Sequence, residues 1–194
     1  SRRLPKSYGY DPLRDIQVIT PAKQGPLGTR ELNRLLQGKL NPPERGKGEA
    51  TLMGRTLREG DKVMQIRNNY DIIWQQPDGT AGTGIFNGDM GIIEMLDPGS
   101  KTIQVRFEEK LATYSFENQD QLEHAYAVTV HKSQGSEFEA VVMPLERRHP
   151  KLHYRNLLYT AVTRARKLLI MTGQKETVYA MVQNNRRTLR YTNQ

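Results

Sequence analysis

The 194 residues suffice for one ordinary domain, or for one domain carrying a small insertion. With 36% hydrophobic and 26% charged residues a core can form but little apolar surface is spare; no apolar run reaches the ~18 residues of a membrane span and no signal-peptide core opens the chain, so a cytoplasmic location is expected. The lack of cysteine excludes disulfides and thiolate metal sites, while 29 Lys and Arg against 21 Asp and Glu give a net +8, which suits a polyanionic partner such as nucleic acid as well as a merely solvated basic surface.

The opening Ser1-Arg2-Arg3 has no initiator Met, as expected of a piece of a longer chain. The β-branched run Ile16-Gln17-Val18-Ile19-Thr20, stopped by Pro21, predicts a strand. After the Gly/Pro loop around Lys23–Gly28, Thr29 is placed to cap a helix whose Leu32, Leu35 and Leu36 share one face and which ends at Asn41-Pro42-Pro43. Residues 41–60, rich in Pro, Gly and charge, predict a long linker. The pattern then turns to short strands. Val63–Ile66 reads as one; Asn87-Gly88-Asp89 is a turn; a strand opening at Ile92-Ile93 is reversed by Asp97-Pro98-Gly99; Ile103, Val105 and Phe107 alternate with polar neighbours. A small inserted barrel over residues 58–118 is expected. Strand–helix–strand patterning resumes with strands at Ala125–Val130, Val141–Pro144 and Leu168–Thr172, a helix over Tyr154–Lys167 and a basic helical tail over Thr177–Leu189, followed by Arg190. This alternation implies a mostly parallel sheet covered by helices.

Two stretches carry donors and acceptors where packing does not need them. Thr129-Val130-His131-Lys132-Ser133-Gln134-Gly135-Ser136-Glu137-Phe138 runs from a strand through a polar segment into another strand. In open α/β sheets ligands bind beyond the carboxyl ends of strands, and that is where this segment is expected; a solvated connection is the plain alternative. In Leu157–Lys167 the residues Leu157, Leu158, Ala161, Val162 and Ala165 fall on one helical face, which puts Arg164 on its border. There its planar fork could lie against the domain and still meet a phosphate; a surface Arg favoured by the helix dipole is the alternative.

Together the two stretches resemble motifs V and VI of superfamily 1 helicases, the second through Tyr159-Thr160-Ala161-Val162-Thr163-Arg164-Ala165. The RecD/TraA type is the best match. Gly60-Asp61-Lys62-Val63-Met64-Gln65, Asn68-Asn69-Tyr70-Asp71 and Phe86-Asn87-Gly88-Asp89-Met90-Gly91 are similar to the pattern that opens its SH3-like barrel, and Pro21–Gly28 with Leu32-Asn33 resembles the start of its second motor domain. The resemblance implies an α/β fold: a RecA-like second motor domain (residues 1–57 and 119–194) with helices on both faces of a mostly parallel sheet, and the inserted SH3-like barrel between. It implies an ATP-dependent 5′–3′ DNA helicase in which Arg164 reaches the γ-phosphate. Gly135 and Glu137 would lie near the ribose and triphosphate, Thr129, His131 and Asn33 would meet single-stranded DNA, and Lys23, or the position held by Gln24, would be the basic residue serving the triphosphate.

A P-loop needs Ser or Thr after its Gly-Lys, and neither Gly38-Lys39-Leu40 nor Gly46-Lys47-Gly48 supplies one. No apolar strand ends in the Asp-Glu pair that holds Mg²⁺. ATP and Mg²⁺ are therefore expected on an N-terminal motor domain of the parent chain, and this portion alone is expected not to hydrolyse ATP. The alternative is a stand-alone nucleic-acid-binding module with degenerate motifs. His149 and His153 are separated by Pro150 and lack a carboxylate, so no metal site is expected; Ser133 and Ser136 sit in no nucleophile elbow. Trp74 and Tyr70 are either barrel core or stacking platforms, and the barrel is expected to touch DNA rather than nucleotide.

Overall fold

In the computed structural model, which describes residues 3–146 and 154–185, the chain runs α1 (Arg3–Tyr8), β1 (Ile16–Thr20), α2 (Thr29–Leu40), β2 (Glu49–Leu52), β3 (Arg55–Arg58), β4 (Lys62–Gln65), β5 (Asn69–Gln75), β6 (Ala81–Ile85), β7 (Met90–Asp97), β8 (Thr102–Phe107) and β9 (Lys110–Ser115). A 3-10 turn (Phe116–Gln121) leads to β10 (Leu122–His124), β11 (Ala127–Thr129), β12 (Phe138–Pro144), α3 (Arg155–Val162), β13 (Ala165–Thr172) and α4 (Lys175–Gln183). Two compact units emerge, residues 1–32 with 127–194, and residues 33–126. The expected His149, Pro150 and His153 arrangement and the basic end of the tail, Arg186, Arg187 and Arg190, lie outside the described residues.

The first unit is built on a parallel sheet of order β11-β1-β12-β13. Its central strand β12 is buried along both faces, as its unbroken apolar run predicts, with Ala140, Val141 and Met143 fully enclosed. The expected helix over Tyr154–Lys167 is shorter. It stops at Val162, where the Thr163 hydroxyl turns back to the Tyr159 and Thr160 carbonyls at 3.1 and 3.0 Å and the Arg164 amide closes a tighter turn onto Ala161. Ala165 is thus the first residue of β13, and Val162, 37% exposed, leaves the expected apolar face to Leu157, Leu158 and Ala161.

The second unit contains a seven-stranded antiparallel sheet, order β10-β4-β7-β8-β9-β5-β6, around Val63, Ile93, Ile103, Val105, Tyr114 and Leu122. Each large aliphatic side chain enclosed there contributes about 1.5–3 kcal/mol. Ile103, Val105 and Phe107 face this core in strict alternation, as their period of two predicts. No hydrogen-bonded closure joins the first and last strands of that order.

The linker expected over residues 41–60 is instead half hairpin. Glu49–Leu52 pairs with Arg55–Arg58 across Met53 and Gly54, both with positive φ (49° and 75°), the two-residue turn whose twist matches the strands. Its Pro- and Gly-rich flanks hid the Thr/Leu alternation. With this hairpin and β10, the unit is wider than the 58–118 expected. α2 forms as predicted, with Leu32 and Leu36 half-buried, but Leu35 is 47% exposed and Asn33 is the helix's buried residue.

Gly60 (φ 84°) turns the chain into β4 and delivers Asp61 to the interior. Its carboxylate accepts from Gln37 Nε2 and Asn41 Nδ2 at 2.7 Å each, Tyr126 OH at 2.7 Å and the Arg58 amide at 2.9 Å, with His124 Nε2 at 3.1 Å. Burial opposes its ionisation, but the hydrogen bond and charge of His124 and the bonds from Asn41 and Tyr126 prevail and hold it below the usual Asp range.

Candidate functional site

Six of the seven expected site residues lie at the edges of the parallel sheet, and the register divides them. Thr20 pairs with Thr129 at the carboxyl ends of β1 and β11, whereas Phe138 pairs with Ala165 at the amino ends of β12 and β13. At ~3.3 Å per residue, the five residues of β1 separate these edges by about 15 Å. Residues 130–137 cross from one edge to the other, so only the first part of the segment expected beyond the carboxyl ends lies there.

At the carboxyl edge Thr129 is buried, its hydroxyl accepting from the Lys132 amide at 3.3 Å, while His131 and Lys23 are exposed. The crossing segment is wound into successive turns: Ser133 N to Thr129 O at 3.1 Å, Gln134 N to His131 O at 3.3 Å, Ser136 N to Ser133 O at 3.1 Å. Ser133 is fully buried and donates to the Val130 carbonyl at 2.8 Å, so it pins these turns, and no nucleophilic role is assigned to it. Gly135 follows with φ 85°; a Cβ there would meet nothing within 4 Å, so glycine serves the backbone conformation and not a close approach.

At the amino edge Arg164 occupies the turn between α3 and β13, not the helix face expected. Its guanidinium donates to Thr160 O (3.2 Å), Ser136 O (3.1 Å) and Thr163 Oγ1 (3.3 Å), and its own carbonyl accepts from the Phe138 amide at 2.8 Å. The two motif-like stretches therefore meet at Arg164 and Ser136. All three acceptors are neutral, and among the described residues Arg164 has no carboxylate partner. Its neighbours differ: Arg166 pairs with Glu137 at 3.0 Å and Lys167 with Glu139 at 2.7 Å. Motif spacing could not single out Ser136, which acts through its carbonyl, nor Thr163, whose hydroxyl both ends the helix and holds the arginine.

Asn33 is 9% exposed, and its Nδ2 donates to the His124 carbonyl at 3.1 Å within the second unit. Lys23, three residues past β1 at the carboxyl edge, is not brought together with Arg164.

A model of the ATP-dependent RecD-like DNA helicase SH3 domain matches residues 32–107, and one of the UvrD-like helicase C-terminal domain matches residues 124–172. The chain joins a RecD-like helicase SH3 domain to a UvrD-like helicase C-terminal domain. The ATP-dependent RecD2 DNA helicase of Deinococcus radiodurans is 35% identical over 158 residues, covering 81% of this chain and 20% of that protein. The RecBCD enzyme subunit RecD of Buchnera aphidicola subsp. Schizaphis graminum is 26% identical over 172 residues, 87% of this chain and 26% of that subunit. The chain thus spans about a fifth to a quarter of these relatives. A Bacteroides Pif1 helicase solved with ADP-AlF3 and ssDNA superposes with a TM-score of 0.54 at 17% identity, covering 94% of this chain and 44% of that one, a likeness of fold.

Charge sorts with the two parts. Residues 33–126, which include most of the SH3 match, hold 11 Lys and Arg against 14 Asp and Glu, a net −3; the rest holds 18 against 7, a net +11. Among the described residues no three His or acidic side chains come together as a metal-binding cluster. No helix of the described residues is long and apolar enough to cross a membrane.

Proposed function

We propose that the chain is the C-terminal motor portion of an ATP-dependent 5′–3′ DNA helicase. In this reading a RecA-like second domain supplies an arginine finger and part of the single-stranded DNA track, while an N-terminal motor domain of the same parent chain holds most of the nucleotide and its Mg²⁺. The observation that carries it is the pairing pattern around Arg164: Arg166 and Lys167 are compensated by carboxylates, and Arg164 is held by neutral oxygens alone. Such a guanidinium keeps its charge and its rigid fork. ATP supplies the phosphoryl group whose negative charge grows on the γ-oxygens during transfer, and a pre-positioned cation there lowers the barrier.

Gly135 and Glu137 stand at the same edge as Arg164 and are assigned to the ribose and triphosphate. Thr129 and His131, at the far end of the crossing segment, are assigned to the single strand, and Lys23 joins them because it shares their edge. The turns pinned by Ser133 link the two edges, so a shift of the strand can be felt at Arg164. The +11 charge of this unit favours DNA here over the acidic SH3 part. The polarity rests on the family resemblance alone.

Purified as it stands, the chain should release no phosphate above blank, with or without single-stranded DNA. It should bind oligothymidylate with log K falling against log salt by about 0.7 per phosphate neutralised. His131→Ala and Lys23→Ala should weaken that binding, and Arg164→Ala should leave it unchanged. Turnover that survives repurification, or an affinity indifferent to salt, contradicts the assignment.

A further inference from the structure

In the SH3 part the ladder between β5 and β9 consists of Trp74↔Ala112 and Gln75↔Leu111 and goes no further. Toward Asn69 the two strands part and leave a groove of about 480 Å³. Leu111 gives it apolar surface over Ile72, a core residue at its floor, and Ile73, 63% exposed, stands on its rim. The side-chain amides of Gln75 and Gln104 line it without a hydrogen-bond partner among the described residues. Asp71 is the one charged residue of its lining.

This lining suits some ligands and not others. Single-stranded nucleic acid is gripped by cations along its phosphates and by aromatic rings under its bases. The groove has neither, and it lies in a part of net charge −3. Polyproline segments dock against aromatic walls, which are also absent from the lining. Tyr70 and Phe86 are exposed but pack edge to face on each other, at 5.7 Å between ring centroids, outside the groove. Trp74 is spent on the core and on Gly82, where a Cβ would come within 2.4 Å of its ring. An interrupted ladder with free amides, an apolar strip and one carboxylate matches an extended polypeptide, whose backbone seeks hydrogen bonds and whose side chains alternate.

We infer that the groove between β5 and β9 is a docking site for an extended peptide segment of a protein partner, one carrying Lys or Arg between aliphatic side chains. The cation meets Asp71, the aliphatic groups meet Ile73 and Leu111, and Gln75 and Gln104 bond to the peptide backbone. The inference stands independently of the helicase assignment, since it uses no residue of the parallel-sheet unit.

The test uses the whole chain and the emission of Trp74, its sole tryptophan, flanked by two groove residues. The probes are a short synthetic peptide of alternating valine and lysine, the same peptide with its central valine replaced by proline, and oligothymidylate. The first peptide should shift Trp74 emission saturably, and the proline peptide should bind more weakly. Asp71→Lys, at an exposed position, should weaken binding about 5-fold, the equivalent of ~1 kcal/mol at an exposed ion pair. Glu123→Lys, the same charge change on β10 at the far edge of the sheet, should not. Oligothymidylate should neither shift the emission nor displace the peptide. No saturable response at millimolar peptide, equal loss in both charge variants, or displacement by oligothymidylate would overturn the proposal, the last in favour of a nucleic-acid groove.

Discussion

Asp61 in the SH3 part and Arg164 in the parallel-sheet unit are both ionic groups surrounded by hydrogen bonds, yet their surroundings teach opposite things. Asp61 is fully enclosed, its two oxygens share five partners, and one of these, His124, can carry an opposing charge. Arg164 is half-buried at a sheet edge, and its three partners are two carbonyls and a hydroxyl, none able to cancel its charge. The first arrangement consumes a charge to fix a fold. The second orients a charge that no carboxylate among the described residues cancels. The two differ in the charge of their partners, not in whether their hydrogen bonds are made.

The largest expected effect on stability falls on the structural side. Asp61→Ala strands the donors of Gln37, Asn41, Tyr126 and the Arg58 amide in a buried site, and should cost about 3–5 kcal/mol in a urea denaturation series. A loss below about 1 kcal/mol would mean that the network is ornamental. The same carboxylate sets a pH dependence. Its folded pKa is depressed, so its stabilisation is fully present above the ordinary Asp value near 3.8 and is lost as pH falls through the lower folded value. Urea midpoints of wild type and Asp61→Asn should therefore converge as pH drops below about 4, and a gap that stays constant down to acid unfolding would break the comparison. On the functional side, Glu137 and Arg166 form an exposed pair, each side chain more than half accessible. Glu137→Gln should change stability by no more than about 1 kcal/mol.

Much of this was legible in the residues. β1, β8 and β12 follow from β-branched runs and strict alternation. Three features were not legible. The hairpin at 49–58 was masked because its turn sits on Met53, a residue that does not announce a left-handed conformation. The end of α3 was misplaced because the periodicity of Leu157, Leu158 and Ala161 extrapolates smoothly through Thr163, whose hydroxyl bonds back to the helix carbonyls. The burial of Asn33 was not legible either, because the helical period puts Leu32, Leu35 and Leu36 on one face, whereas α2 buries Asn33 and leaves Leu35 exposed. The division of site residues between two sheet edges depends on strand register, which no local pattern encodes.

The account rests on Arg164 as the uncompensated cation, and kcat in a parent helicase containing both motor domains tests it most directly. Arg164→Ala should lower DNA-stimulated kcat by roughly 10³-fold or more while nucleotide affinity changes far less, because the contact matters most in the transition state. Arg164→Lys should recover little, since a point charge on a flexible stem lacks the fork. Arg166→Ala, which removes a charge already paired with Glu137, should leave kcat close to wild type. If Arg164→Ala turns over normally and Arg166→Ala abolishes activity, the finger is the paired residue and the charge argument fails.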